Sequence, residues 1–234
     1  SPYGTLALRY DPLCSPPAPT PTPCPIHFSD VPADSPYYPA IRCLTCAGAI
    51  GGYEDGTFRP GDAVTRGQLA KIVARGAGLE GDAGEQVYED VPPPSTYYQW
   101  INRLSQLHVV GGYPCGTSAD EPCVGPANRP YFRPGASATR AQIAKIVSEV
   151  AGYNELTVSS AFGDVSPSSP FETAIDRLRL HGDVTGYPCG TRPDEPCEQG
   201  YNRSYFRPGN TATRGQVAII VAHAFHPECS APAP

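Results

Sequence analysis

A stretch of twenty residues occurs three times in this 234-residue chain. It begins at Phe58 as FRPGDAVTRGQLAKIVARGA, at Phe132 as FRPGASATRAQIAKIVSEVA and at Phe206 as FRPGNTATRGQVAIIVAHAF, 74 residues apart each time. Repetition at a fixed period constrains the architecture more than composition does. Each copy is one supersecondary unit that buries its apolar face against its neighbours. Each copy reads as a turn and then a helix. Pro60 ends an extended segment and Gly61 permits the turn. Thr65 and Gln68 form T-x-x-Q, a capping box, repeated at Thr139/Gln142 and Thr213/Gln216. Behind it the apolar residues recur at helical spacing: Leu69, Ile72, Val73, Ala77; Ile143, Ile146, Val147, Ala151; Val217, Ile220, Val221, Phe225. Gly78 and Gly152 stand where a C-terminal cap belongs.

Arg66, Arg140 and Arg214 each take the first helical position, where the helix dipole disfavours a cation by about 0.3–1 kcal/mol. A disfavoured choice made three times implies that these arginines bind something. The candidates are a carboxylate of a neighbouring unit, an anionic ligand, or both in turn.

Upstream of each copy the chain repeats as well. Phe28-Ser-Asp30-Val31, Tyr88-Glu-Asp90-Val91 and Phe162-Gly-Asp164-Val165 open the units. A first helix follows, with Tyr37, Ile41, Leu44; Tyr97, Ile101, Leu104; and Phe171, Ile175, Leu178 on one face. It runs into the turns Gly52-Tyr53, Gly112-Tyr113 and Gly186-Tyr187. The units span 28–79, 88–153 and 162–226. Four residues separate Tyr53 from Phe58, but eighteen separate Tyr113 from Phe132 and Tyr187 from Phe206. Each long loop carries P-C-G-T-x-x-D-E-P-C, which pairs Cys115 with Cys123 and Cys189 with Cys197. Closing so short a loop stabilises by roughly 2–3 kcal/mol in the chain-entropy model. A stapled insertion keeps a defined shape, which suits a binding or packing surface.

Nine Cys and 29 Pro in an acidic chain of net charge −6 point to an oxidising, extracellular setting and away from nucleic acid. No apolar run is long enough for a membrane span. No signal peptide or Met is present, so a chain opening at Ser1 reads as the product of a cleaved precursor. Cys43 and Cys46 form C-x-x-C, read as structural, bonded to Cys24 or to each other. With Cys14 and Cys229 the total is odd, leaving one thiol free or bonded to another chain. Residues 1–27 form an arm and spacer. Thr5–Tyr10 alternates like a strand that could add to another surface, or is a disordered terminus. Residues 15–25 read as polyproline, with Thr20 and Thr22 as O-glycan candidates. Asn202-Arg203-Ser204 is an N-glycosylation sequon.

The three units, with F-x-D-V, G-Y-E-D-G-T-F-R-P at Gly52–Pro60 and T-R-x-x, resemble the surface-layer homology (SLH) domain family over residues 28–226. The resemblance implies a mainly α fold: three helix-loop-helix repeats in a pseudo-three-fold bundle, here with an extended N-terminal arm. It implies grooves between repeats that bind anionic cell-envelope polysaccharide, often pyruvylated. Carried onto this chain, the groove residues are Arg66, Arg140 and Arg214, with Asp30, Asp90, Asp164, Gly52, Gly112 and Gly186. The usual acidic residue of that motif is Gln68, Gln142 and Gln216 here.

Catalysis is not indicated. His27, His108, His181, His223 and His226 are not equivalent between units and accompany no nucleophile motif. His223-x-x-His226-x-x-Cys229 has metal-like spacing but reads as a solvated tail, so no metal or cofactor is expected. Tyr98 and Trp100 on the first helix of unit two are either core or a platform for a sugar. The chain has arm, spacer, odd cysteine and stapled loops but no cargo module. It therefore reads first as a secreted structural protein at a bacterial surface, assembling with copies of itself into a layer, sheath or filament. The alternative is a polysaccharide-binding envelope anchor.

Overall fold

The computed structural model describes residues 24, 26–157, 161–197 and 202–230. Cys14, Thr20, Thr22 and the strand-like and proline-rich parts of the arm lie outside them. The described chain is mainly α-helical. Its helices come in three pairs: α1 (Tyr38–Cys46) and α2 (Arg66–Gly76), α3 (Tyr98–Gln106) and α4 (Arg140–Val150), α5 (Glu172–Leu180) and α6 (Arg214–Phe225). A short 3-10 turn, Pro227–Ser230, follows α6. Among the described residues β-structure is confined to isolated bridges.

The longer helix of each pair starts as its capping box dictates. The Thr65 hydroxyl accepts from the Gln68 amide at 3.3 Å, and the Gln68 side chain accepts from the Thr65 amide at 3.1 Å. Thr139/Gln142 and Thr213/Gln216 repeat both bonds. Gly78 and Gly152 adopt φ of +62° and +70° just past α2 and α4, a left-handed conformation that glycine reaches without a Cβ penalty. The apolar stripes of α2, α4 and α6 bury Leu69, Val73, Ile143, Val147, Val217 and Val221 completely. Leu44, Leu104 and Leu178 of the shorter helices complete the same core.

The pairs are joined in a closed ring. The Val64 amide donates to the Ala212 carbonyl at 3.0 Å, Ala212 to Ala138 at 3.3 Å, and Ala138 back to Val64 at 2.8 Å. The first amides of a helix have no intrahelical acceptor. Here the start of each longer helix finds its acceptors in another pair. Arg66 and Gly67 donate to Ala136 and Pro134, Arg140 and Ala141 to Asn210 and Pro208, and Arg214 and Gly215 to Asp62 and Pro60, all at 2.8–3.0 Å. One pair alone would leave those amides to water, whereas the ring gives all of them protein acceptors.

Four disulfides staple the body. Cys115–Cys123 and Cys189–Cys197 close the two inserted loops, as their spacing requires. Cys46 bonds Cys24, one of the two partners expected for it. Cys43 does not bond Cys46; it reaches Cys229, 186 residues away. The two cysteines differ in burial. Both cysteines lie on α1, but Cys43 is half-buried against the core and Cys46 is exposed. The C-terminal 3-10 turn brings Cys229 onto the core side.

Candidate functional site

Arg66, Arg140 and Arg214 are buried, at 9%, 8% and 5% exposure. The expected carboxylate partner is not what holds them. Among the described residues no carboxylate forms a salt bridge with any of the three. Instead, each Nε–H donates to the carbonyl of the phenylalanine that opens another pair's repeat stretch. Arg66 reaches Phe132 at 2.9 Å, Arg140 reaches Phe206 at 2.7 Å and Arg214 reaches Phe58 at 2.8 Å. Arg66 and Arg214 also donate from Nη2 to Gly111 and Gly51. This explains the cation at the first helical turn: backbone amide and side chain dock on the same neighbouring turn. Burial pulls all three guanidinium pKa values below the ordinary arginine value, yet arginine stays charged in proteins. Three positive charges are thus held against carbonyls and ring faces.

Each tyrosine of the Gly-Tyr turns lies between two guanidinium groups. Tyr53 has Arg59 at 4.0 Å and Arg214 at 5.0 Å from its ring centroid. Tyr113 has Arg133 at 3.8 Å and Arg66 at 5.4 Å, and Tyr187 has Arg207 at 3.7 Å and Arg140 at 5.1 Å. The outer arginines are neutralised. Arg59 pairs with Asp55 at 2.7 Å, and hydrogen bonds from Thr57 and Arg59 hold that carboxyl down at about 2. In the second and third pairs the stapled insertions supply the acid: Arg133 grips Glu121 and Arg207 grips Glu195, each with two bonds of 2.6–2.7 Å. Hydrogen bonding to these arginines lowers both glutamate pKa values. The insertion therefore rebuilds the Asp55 contact.

The inner arginines floor three equivalent grooves. The first, 330 Å³, is lined by Gly51, Gly52 and Tyr53, by Gln68, Lys71, Ile72 and Arg75 of α2, by Tyr97 and by Arg214. The second, 210 Å³, has Arg66, Gly111, Gly112, Tyr113, Gln142, Lys145, Ile146 and Phe171. The third, 190 Å³, has Arg140, Asp183, Gly186, Tyr187, Gln216, Ile219 and Ile220. In the first two, residues from all three helix pairs meet. Among the described residues, none from either inserted loop lines these grooves.

The grooves share a frame but not a charge. The first gathers Lys71, Arg75 and Arg214. At the second, Glu149 holds the repeat position of Arg75 but does not line the groove; it pairs with the lining Lys145 at 3.8 Å. In the third Ile219 replaces the lysine, and Asp183 stands where the others have Ala49 and Val109. The three stretches aligned by their period already display the changes at Lys71 and Arg75, which reading each stretch for its common residues passes over.

The glycines and aspartates named from the sequence fall in different places. Gly52, Gly112 and Gly186 line the grooves, and a Cβ there would strike the rings of Phe28, Tyr88 and Phe162 respectively. Asp30, Asp90 and Asp164 sit behind the grooves. Each accepts two backbone amides at 2.5–2.7 Å, from Phe58 and Arg59, Phe132 and Arg133, or Phe206 and Arg207. This clamp holds Arg59, Arg133 and Arg207 at φ near +60°, a strained conformation for a side-chain-bearing residue. Asn202 is exposed. His226 contacts Glu228 and the Gly76 carbonyl, His223 lies near the Gly182 carbonyl, and Cys229 is in its disulfide, so the tail spacing does not converge. His181 stacks on Tyr153 at 3.6 Å and pairs with Glu155.

Comparison with known proteins bears on this arrangement. The S-layer homology domain model matches residues 27–70, which hold α1 and the start of α2. An endoglucanase of Bacillus sp. (strain KSM-635) is 26% identical over 197 residues, 83% of this chain and 18% of that protein. The surface-layer 125 kDa protein of Lysinibacillus sphaericus is 30% identical over 123 residues, 53% of this chain and 10% of that protein. Cell surface glycoprotein 1 of Acetivibrio thermocellus is 26% identical over 201 residues, 76% of this chain and 7% of that protein. The chain spans less than a fifth of the length of each of these relatives.

Proposed function

We propose that this chain, whose residues 27–70 form an S-layer homology domain, attaches to the cell envelope by holding a carboxylate-bearing polysaccharide in its inter-pair grooves. The family and the relatives make it a cell-surface or extracellular protein. We take residues 28–79, 88–153 and 162–226 as three such repeats and the chain as non-catalytic. The observation that carries the reading is the first groove. There Lys71, Arg75 and Arg214 meet beside Tyr53 and Tyr97, without an ion-pair partner among the described residues. A planar guanidinium suits a carboxylate, and a charge-assisted bond to a buried cation contributes about 1.5–3 kcal/mol. Gln68 in place of an acid leaves no carboxylate at that position to repel an anion. The second groove is weaker and the third weakest, because Glu149 and Asp183 oppose their cations.

The test uses a substitution that the third pair already carries. Lys71→Ile and Lys145→Ile, combined, adopt the residue found at Ile219. In pull-down with purified envelope polysaccharide the double variant loses retention while its melting temperature holds. Undiminished retention refutes the reading. Lysine is preferred to arginine here because the arginines also bond the pairs together.

A second reading is self-assembly through the arm, whose root Cys24–Cys46 ties covalently to α1. Negative-stain microscopy of the chain with and without residues 1–23 decides it. Ordered layers, sheaths or filaments that vanish on deletion support assembly; monodisperse particles in both samples leave attachment alone.

A further inference from the structure

The first groove does not end at Arg75. A second cavity, 380 Å³, continues from it and shares Gly48 and Arg75. Its other walls include Gly78, Leu79, Glu80 and Trp100. Trp100 is the only tryptophan in the chain. The corresponding positions of the other two pairs are Ala40 and Ala174, buried at 7% and 9% exposure. An alanine fills that place in the core, so the fold does not need an indole. Trp100 is half-buried, and the Arg75 guanidinium stands 6.0 Å from its ring centroid. Arg75 and Glu80 are both exposed, and among the described residues neither forms an ion pair. Glu149 and His223 occupy the place of Arg75 in α4 and α6. Among the described residues the combination of indole, guanidinium and carboxylate therefore occurs once, at the junction of α2 and α3.

We infer that this cavity is a subsite for a neutral pyranose ring adjoining the charged sugar, so that the first groove recognises an oligosaccharide of at least two rings. The inference rests on the proposed polysaccharide reading. A pyranose presents a face of C–H groups and a rim of hydroxyls. The face packs on the indole and excludes water from both surfaces. The hydroxyls accept from Arg75 and donate to Glu80. Arg75, shared by both cavities, stands between the neutral ring and the carboxylate held at Lys71 and Arg214.

The single tryptophan makes the test direct, since emission excited beyond tyrosine absorption reports this site alone. Three probes are titrated into the full chain: a neutral N-acetylhexosamine disaccharide, a methyl glycoside bearing a pyruvate ketal, and that glycoside extended by one neutral ring. The disaccharide shifts the Trp100 emission, and the ketal glycoside binds by calorimetry without shifting it. The extended compound binds roughly tenfold tighter than the ketal glycoside, a gain of about 1.4 kcal/mol. Trp100→Ala, which copies Ala40 and Ala174, removes that gain and leaves the affinity for the ketal glycoside unchanged. Lys71→Ile weakens the ketal glycoside but not the neutral disaccharide. If the ketal glycoside fails to bind while the disaccharide shifts the emission, the subsite stands and the carboxylate reading falls. Unshifted emission with every probe, or an extended compound no tighter than the simple one, overturns the subsite.

Discussion

Two positions show how one residue changes the balance of a repeated frame. Asp176 lies on α5 where α3 has Asn102, and both are buried. The Asp176 carboxylate accepts from the Ala161 amide at 3.2 Å, but its second oxygen has no hydrogen-bond partner. Burial pushes its pKa above the ordinary aspartate value because low polarity disfavours the charged form. The folded chain therefore holds this proton to higher pH than the unfolded chain does. The contribution to stability is full below the ordinary pKa of 3.8 and is lost as pH rises through the folded value. Asp176→Asn, which adopts the residue of α3, removes that loss. Near neutrality it gains about 1 kcal/mol, and at pH below 3.8 the gain vanishes. Melting curves of the two proteins across that range test this; a difference independent of pH contradicts it. Asp183 follows the same rule, since desolvation raises its pKa although the Tyr153 hydroxyl donates to it at 2.9 Å.

At the scale of the element, the long helices owe their starts to side chains that are local in sequence and their positions to carbonyls that are not. Thr139→Ala removes one cap bond of α4 and costs about 1 kcal/mol, measurable by denaturant unfolding. A change below about 0.3 kcal/mol would mean that the amides donated to Asn210 and Pro208 already fix the helix start. This division also sets what could be read from residues alone. The caps, the apolar stripes, the Gly78 and Gly152 stops and the two short disulfides depend on spacings of a few residues, and the sequence displays them. The partner of Arg66 is a carbonyl 66 residues away, and that of Arg214 lies 156 residues away. No spacing rule reaches so far, and a cation invites a search for a carboxylate, which the described residues do not supply. The aspartates of the opening motif were legible as recurrent but not as clamps, because their partners are backbone amides that any sequence offers. Glu121 and Glu195 were hidden for another reason: they reproduce a contact of Asp55 from a different place in the chain.

For the whole molecule the decisive event is closure between the first and third pairs. Val64–Ala212, Arg214–Asp62 and Gly215–Pro60 join segments about 150 residues apart, and α6 packs on α1. The chain loses much conformational entropy before these contacts form, because the ends of so long a loop must meet first. Cys43–Cys229 spans the same closure, with a sequence separation of 186 against 8 for Cys115–Cys123. In the chain-entropy model the long loop contributes about 5 kcal/mol and the short one about 2.5 kcal/mol, both by restricting the unfolded chain. Cys43→Ala with Cys229→Ala should therefore lower the melting temperature about twice as far as Cys115→Ala with Cys123→Ala. For a chain of this size the first loss is roughly 10–20 °C. The grooves give an independent reading of the same event. The first groove needs Arg214 of the third pair against Tyr53 of the first, whereas the second takes its arginine, Arg66, from across a junction that the chain makes earlier. Partial opening at the first–third junction should thus weaken the proposed carboxylate binding at the first groove before it affects the second. Calorimetric titration of the Cys43/Cys229 variant near its transition should show the tighter site failing first. Equal thermal losses in the two disulfide variants, or loss of both grooves together, would mean that amide bonds and packing close the ring without help from the staple.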